Sequence, residues 1–160
     1  MNESKKPAPI LGERIITGVS IGFFLLLVGT IFVITPNLFS EVIDLLADFE
    51  MVNVPNSDLI LPGPASPSAY EVVYVAAAQF SLALGLYQIV MLGLRFFASS
   101  QLGKRAETVG NMVFWLGTWF LIQTFLIETT QWFVFWSTII ILIGVSLIAR
   151  AGIMAVARIT

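Results

Sequence analysis

Hydrophobic residues along this chain gather into four long runs separated by shorter polar stretches. The first, residues 15–35, continues for about 21 positions without a charge, and at roughly 1.5 Å per residue it matches a hydrocarbon layer about 30 Å thick. Pro36 disfavours helix at the residue before it and cannot continue the ladder, so that helix is predicted to stop there. Residues 70–98 form the second run. Glu71 lies in its first turn and Arg95 in its last, each charge suiting the helix dipole, and a run of that length must tilt or protrude from a bilayer. The third and fourth runs, 109–127 and 132–149, are close to the minimum for crossing, and the link 128–131 is so short that it demands an antiparallel hairpin. Past Arg150 the fourth helix can continue through 151–159, where nothing breaks it. All seven prolines lie outside the interiors of these runs, as continuous helices require and the broken helices of many transporters do not.

The longest hydrophilic stretch, 36–69, carries a different period. Leu38, Phe39, Val42, Ile43, Leu45, Leu46 and Phe49 recur at helical spacing, with Glu41, Asp44 and Asp48 opposite, which predicts a short amphipathic helix over about 38–50. Its apolar stripe should lie on the outer leaflet or on the ends of the spans, and its acidic face reads as solvated; three carboxylates on one face do not complete a calcium site. Residues 53–68 hold four prolines and read as an extended loop, with Leu59, Ile60 and Leu61 tucked against the bundle or lipid headgroups.

Composition turns these runs into membrane spans. Hydrophobic residues make up 58% and charged residues 11% of the 160, with mean hydropathy +0.92, whereas a soluble domain is roughly 25% charged. More apolar surface is present than one core of this size can bury, so lipid has to act as a second solvent. All eight basic residues fall on one side of the alternation: Lys5, Lys6 and Arg14 before the first run, Arg95, Lys104 and Arg105 around the second link, Arg150 and Arg158 after the fourth run. The positive-inside rule then puts both termini inside. The apolar part of the first run exceeds a signal-peptide core and no small-x-small site follows Thr35, so it reads as an uncleaved anchor. The expected fold is an all-α integral membrane protein, a multi-pass four-helix bundle of the cell membrane, N-in and C-in. The tail 1–14, loop 99–108 and tail 150–160 are expected in the cytoplasm, with the amphipathic helix outside.

Two stripes of small residues suggest close helix packing within the chain: Gly18, Gly22 and Gly29 on the first span, Ala77, Ser81 and Gly85 on the second. No ionisable residue lies at mid-depth in any span, and the uncharged polar candidates there are Gln79, Gln88 and Gln123, expected to bond between helices. Trp115 and Trp119, flanked by Phe114 and Phe120, lie deeper than an interfacial belt; volume filling is the expectation, with a quinone or lipid pocket as the alternative.

The absence of histidine and cysteine removes disulfides, thiolate chemistry and imidazole-ligated metals. No buried acid–base pair or activated nucleophile can be assembled, so no catalytic residue, cofactor or metal is expected. A proton-coupled carrier would use a membrane-embedded carboxylate, and none is present. The function expected is therefore a non-catalytic accessory or scaffold subunit of a larger membrane complex. The alternative is a small oligomeric channel or carrier for a neutral or apolar solute. The partners expected are the lipid bilayer and a heterologous membrane subunit or further copies of the chain, with no nucleic acid.

Overall fold

The computed structural model describes residues 11–97 and 102–156, without the side chains of residues 11–16. Lys5, Lys6, Arg158 and the side chain of Arg14 lie outside the described residues, as do much of the expected tails and the first part of the 99–108 loop.

Helix α1 (Leu11–Ile34) ends as Pro36 dictates, and Asn37 takes a left-handed conformation at φ 56° that redirects the chain. Helix α2 (Leu38–Ala47) follows, burying Leu38 and Leu45 while Asp44 faces out. After a 3₁₀ turn at Pro67–Tyr70 comes α3 (Glu71–Phe97). Helix α4 (Leu102–Leu121) continues as a π-helical segment, Ile122–Glu128, and α5 spans Trp132–Val156. Among the described residues, four helices are long and apolar enough to cross a membrane.

Three boundaries differ from the sequence expectation, the first being the start of α1 at Leu11 rather than 15. Helix α4 starts at Leu102 rather than 109, because Lys104, Arg105, Ala106 and Glu107 are good helix formers whatever their affinity for lipid. The Thr108 hydroxyl donates to the Lys104 carbonyl at 2.9 Å, and Lys104 pairs with Glu107 at 3.8 Å within that first stretch. The amphipathic helix stops at Ala47 rather than 50, because the chain turns into strand.

That strand corrects the all-α expectation. β1 (Phe49–Asn53) pairs antiparallel with β2 (Ile60–Pro64), Phe49 opposite Pro64 and Asn53 opposite Ile60. The Val54 N–H donates to the Leu59 carbonyl at 2.8 Å and the Ala65 N–H to the Asp48 carbonyl at 3.0 Å. The alternation of an antiparallel ladder then puts Pro62 and Pro64 at non-hydrogen-bonded positions, where the missing N–H faces outward at no cost. The Ser66 N–H donates to the Asp48 carboxylate at 2.9 Å, so one of the acidic residues of the α2 face ties off the ribbon. Leu59, Ile60 and Leu61 stay exposed and do not tuck against the bundle. Gly63 does: a Cβ there would meet Phe133 Cζ at 3.2 Å and Trp132 Cδ1 at 3.3 Å, so the ribbon lies close over the start of α5.

The main core joins α3, α4, the π segment and α5 around Tyr74, Ala78, Leu121, Ile122, Phe135 and Ile139, capped by Leu45 of α2. A smaller cluster of Ile31, Leu38 and Ala76 ties α1 and α2 to α3. The packing is three helices with a fourth leaning on one of them. Between Thr17 and Ile34 only 6% of residues are buried, against 33% in the α3 span. Arg95, Lys104, Arg105 and Arg150 share one end of the bundle, called here the basic end; α2, the ribbon and Glu128 occupy the other.

Candidate functional site

Helices α1, α3 and α4 enclose a cavity of about 320 Å³ toward the basic end. On α3 the spacing Leu84, Gln88, Met91, Arg95 turns one stripe into it; on α4 the residues Thr108, Asn111 and Trp115 do the same. Helix α1 closes the third side. The Tyr87 hydroxyl donates to Ser20 Oγ at 2.8 Å, and the Phe23 ring stacks on Tyr87 with centroids 4.1 Å apart and planes 7° apart.

The polar groups here hold the helices together as well as facing the cavity. Arg95 donates through Nη1 to the Lys104 carbonyl, which also accepts the Thr108 hydroxyl, so the end of α3 is fastened to the first turn of α4. Glu107 lines the cavity and pairs with Lys104, not with Arg95. Trp115 forms the apolar wall, edge-on to Phe80 at 6.0 Å, and Phe80 in turn meets Phe24 of α1 at 5.9 Å. A guanidinium, two amides and several hydroxyls around an indole suit hydrogen-bonded recognition of a small polar or amphipathic molecule.

The sequence candidates scatter across this arrangement. Gln88 lines the cavity and Gln79 is exposed on the other side of α3. Gln123 is half-buried in the π segment near the opposite end, so the three amides form no common site. Trp115 faces the cavity whereas Trp119 packs against the main core. Arg95, Tyr87 and Asn111 carry no hydropathy signal as site residues; the signal that points to them is the shared helical spacing of polar groups on α3 and α4.

The small-residue stripes separate in the same way. Gly85 is a close contact, since a Cβ there would collide with the Leu116 side chain of α4, and Ser81 beside it is 3% exposed. Ala77 is exposed, and the buried alanines are its neighbours Ala76 and Ala78. Gly117 approaches Leu142 of α5 as closely, and a Cβ on Gly110 would lie 3.2 Å from the Ser146 carbonyl oxygen. The expectation that Gly18, Gly22 and Gly29 pack inside the chain is corrected: a Cβ on any of them meets nothing within 4 Å. Helix α1 touches α3 through its aromatic and aliphatic residues and turns this stripe away from the bundle.

Compared with family models, curated proteins and solved structures, the chain matches none.

Proposed function

We propose that this protein is a non-catalytic, four-span subunit of the cell membrane, with both termini on the side of its basic residues, that docks through α1 onto a larger membrane complex. The observation that carries this reading is the open face of α1. A helix held on one side only, with Gly18, Gly22 and Gly29 in a row on a free side, offers the close backbone approach that membrane helices use to associate. The positive-inside distribution supports the orientation. The pairing of Arg95 with a backbone carbonyl and of Glu107 with Lys104 gives both charged groups a structural task and supports a role without bond-making chemistry.

A second reading, a small oligomeric channel or carrier for a neutral or apolar solute, draws on the polar cavity. Against it, Trp115 and Leu84 are apolar lining residues of the cavity, and the main core between α3, α4, the π segment and α5 is apolar. A continuous path would have to run between copies.

Affinity purification of the tagged full chain in mild detergent tests the proposal. A heterologous membrane protein at fixed stoichiometry is expected, and the double variant Gly18→Leu/Gly22→Leu should release it while leaving thermal unfolding unchanged. A lone or self-associated chain would overturn the subunit reading. Solute flux into proteoliposomes holding only this chain would favour the second.

A further inference from the structure

On another face of α4, away from the polar cavity, the basic ends of α3, α4 and α5 diverge around a groove of about 650 Å³. Leu92, Phe96, Val109, Gly152 and Ile153 make its walls apolar, and Arg105 is the only charged residue among those lining it. The Arg105 guanidinium carbon sits 4.6 Å over the Phe96 ring, and its Nε is buried without a hydrogen-bond partner. One buried, unpaired donor on a half-buried cation is a cost that an anion meeting the guanidinium would offset. No side chain of the described residues does so: Glu107, the acid nearest in sequence, pairs with Lys104.

We infer that this groove binds one anionic phospholipid of the leaflet at the basic end, an acyl chain lying between α3 and α5 and the headgroup phosphate on the Arg105 guanidinium. Three observations select that occupant over a peptide or a soluble anion. The walls are continuous apolar surface of the size of a small-molecule site, which suits a hydrocarbon chain. The single charge among the lining residues stands in the first turn of α4, where a bilayer crossed by these helices as proposed would have its phosphates. Arg95 and Arg150 at the same end, beyond the Lys104–Glu107 pair, add the positive potential that favours an anionic over a zwitterionic headgroup. Basic pockets between helix ends are a general means of lipid selection. The inference rests on the membrane placement proposed above but not on the accessory role.

Native mass spectrometry of the purified full chain, titrated with phosphatidylglycerol and with phosphatidylcholine of the same acyl length, reads the site directly. Phosphatidylglycerol should bind about tenfold more tightly. Arg105→Gln should bring the two lipids to within about twofold of each other, and Arg105→Lys should keep part of the preference. Gly152 lines the groove and a Cβ there meets nothing within 4 Å, so Gly152→Leu should occupy groove space and weaken both lipids together. Equal binding of the two lipids by the wild-type chain would overturn the inference, as would a preference that survives both Arg105→Gln and Gly152→Leu. Either result leaves the four-span placement intact, since thiol labelling of single introduced cysteines tests that separately.

Discussion

Gly85 and Gly93 lie on the same helix, yet a side chain is excluded at one and free at the other. At Gly85 the backbone of α3 comes so near α4 that Leu116 occupies the place of a Cβ; at Gly93 nothing lies within 4 Å. Gly85→Leu should therefore destabilise the bundle by about 1–3 kcal/mol through overpacking, while Gly93→Leu and Gly22→Leu should unfold like the parent in a thermal melt in detergent. Equal melts for all three would remove the close contact of α3 with α4. The sequence shows where small residues recur but not what stands opposite, which depends on the neighbouring helix. The plainest repeat, Gly18 to Gly29, faces away from the bundle, and Gly110 and Gly117 of α4 make contacts with α5 that their own run does not announce.

At the scale of elements, hydropathy measures preference for lipid, and it locates the long helices but not the local hydrogen bonding at their ends. The start of α4 is hidden because charged residues can be helical, and the ribbon is hidden because four prolines between 53 and 68 suggest an unpaired loop. Only the pairing register shows Pro62 and Pro64 to be harmless. The turn before α5 is similarly special: Thr130, a β-branched residue, adopts φ 51°, and the Gln131 N–H reaches back to the Phe125 carbonyl to close the π segment. The attachment of α1 is the element-level feature most open to test. Tyr87→Phe keeps the stack on Phe23 and loses the bond to Ser20, a cost of about 0.6 kcal/mol, whereas Tyr87→Ala loses both, about 2 kcal/mol. Hydrogen exchange should then accelerate in α1 well before it does in α3, α4 and α5. A uniform change across all four helices would mean that α1 is not separately held.

For the whole molecule the distribution of charge decides the arrangement. The described basic residues sit together at one end, while Asp44, Asp48, Glu50 and Glu128 belong to elements at the other, and this separation is already legible in the order of residues along the chain. In the four-span arrangement proposed above it would follow from the even number of crossings and from the cost of moving lysine and arginine through lipid, about 2.5–3.5 kcal/mol each at the centre of a helix. The natural chain contains no cysteine, so single cysteines report their own compartment. Ser57 in the ribbon's loop and Thr130 in the turn before α5 are exposed, as is Gly103 at the start of α4, where an added Cβ meets nothing. In intact cells a membrane-impermeant thiol reagent should label Ser57→Cys and Thr130→Cys, and should reach Gly103→Cys only after the membrane is opened. The two positions test different links, since in the proposed four-span arrangement Ser57 follows the first crossing and Thr130 the third. Labelling of Gly103→Cys from outside would reverse the orientation, and opposite behaviour of Ser57→Cys and Thr130→Cys would mean that α3 and α4 do not cross as a pair. In the reversed case the groove at Arg105 would face the outer leaflet, so the same three variants fix which leaflet supplies its lipid.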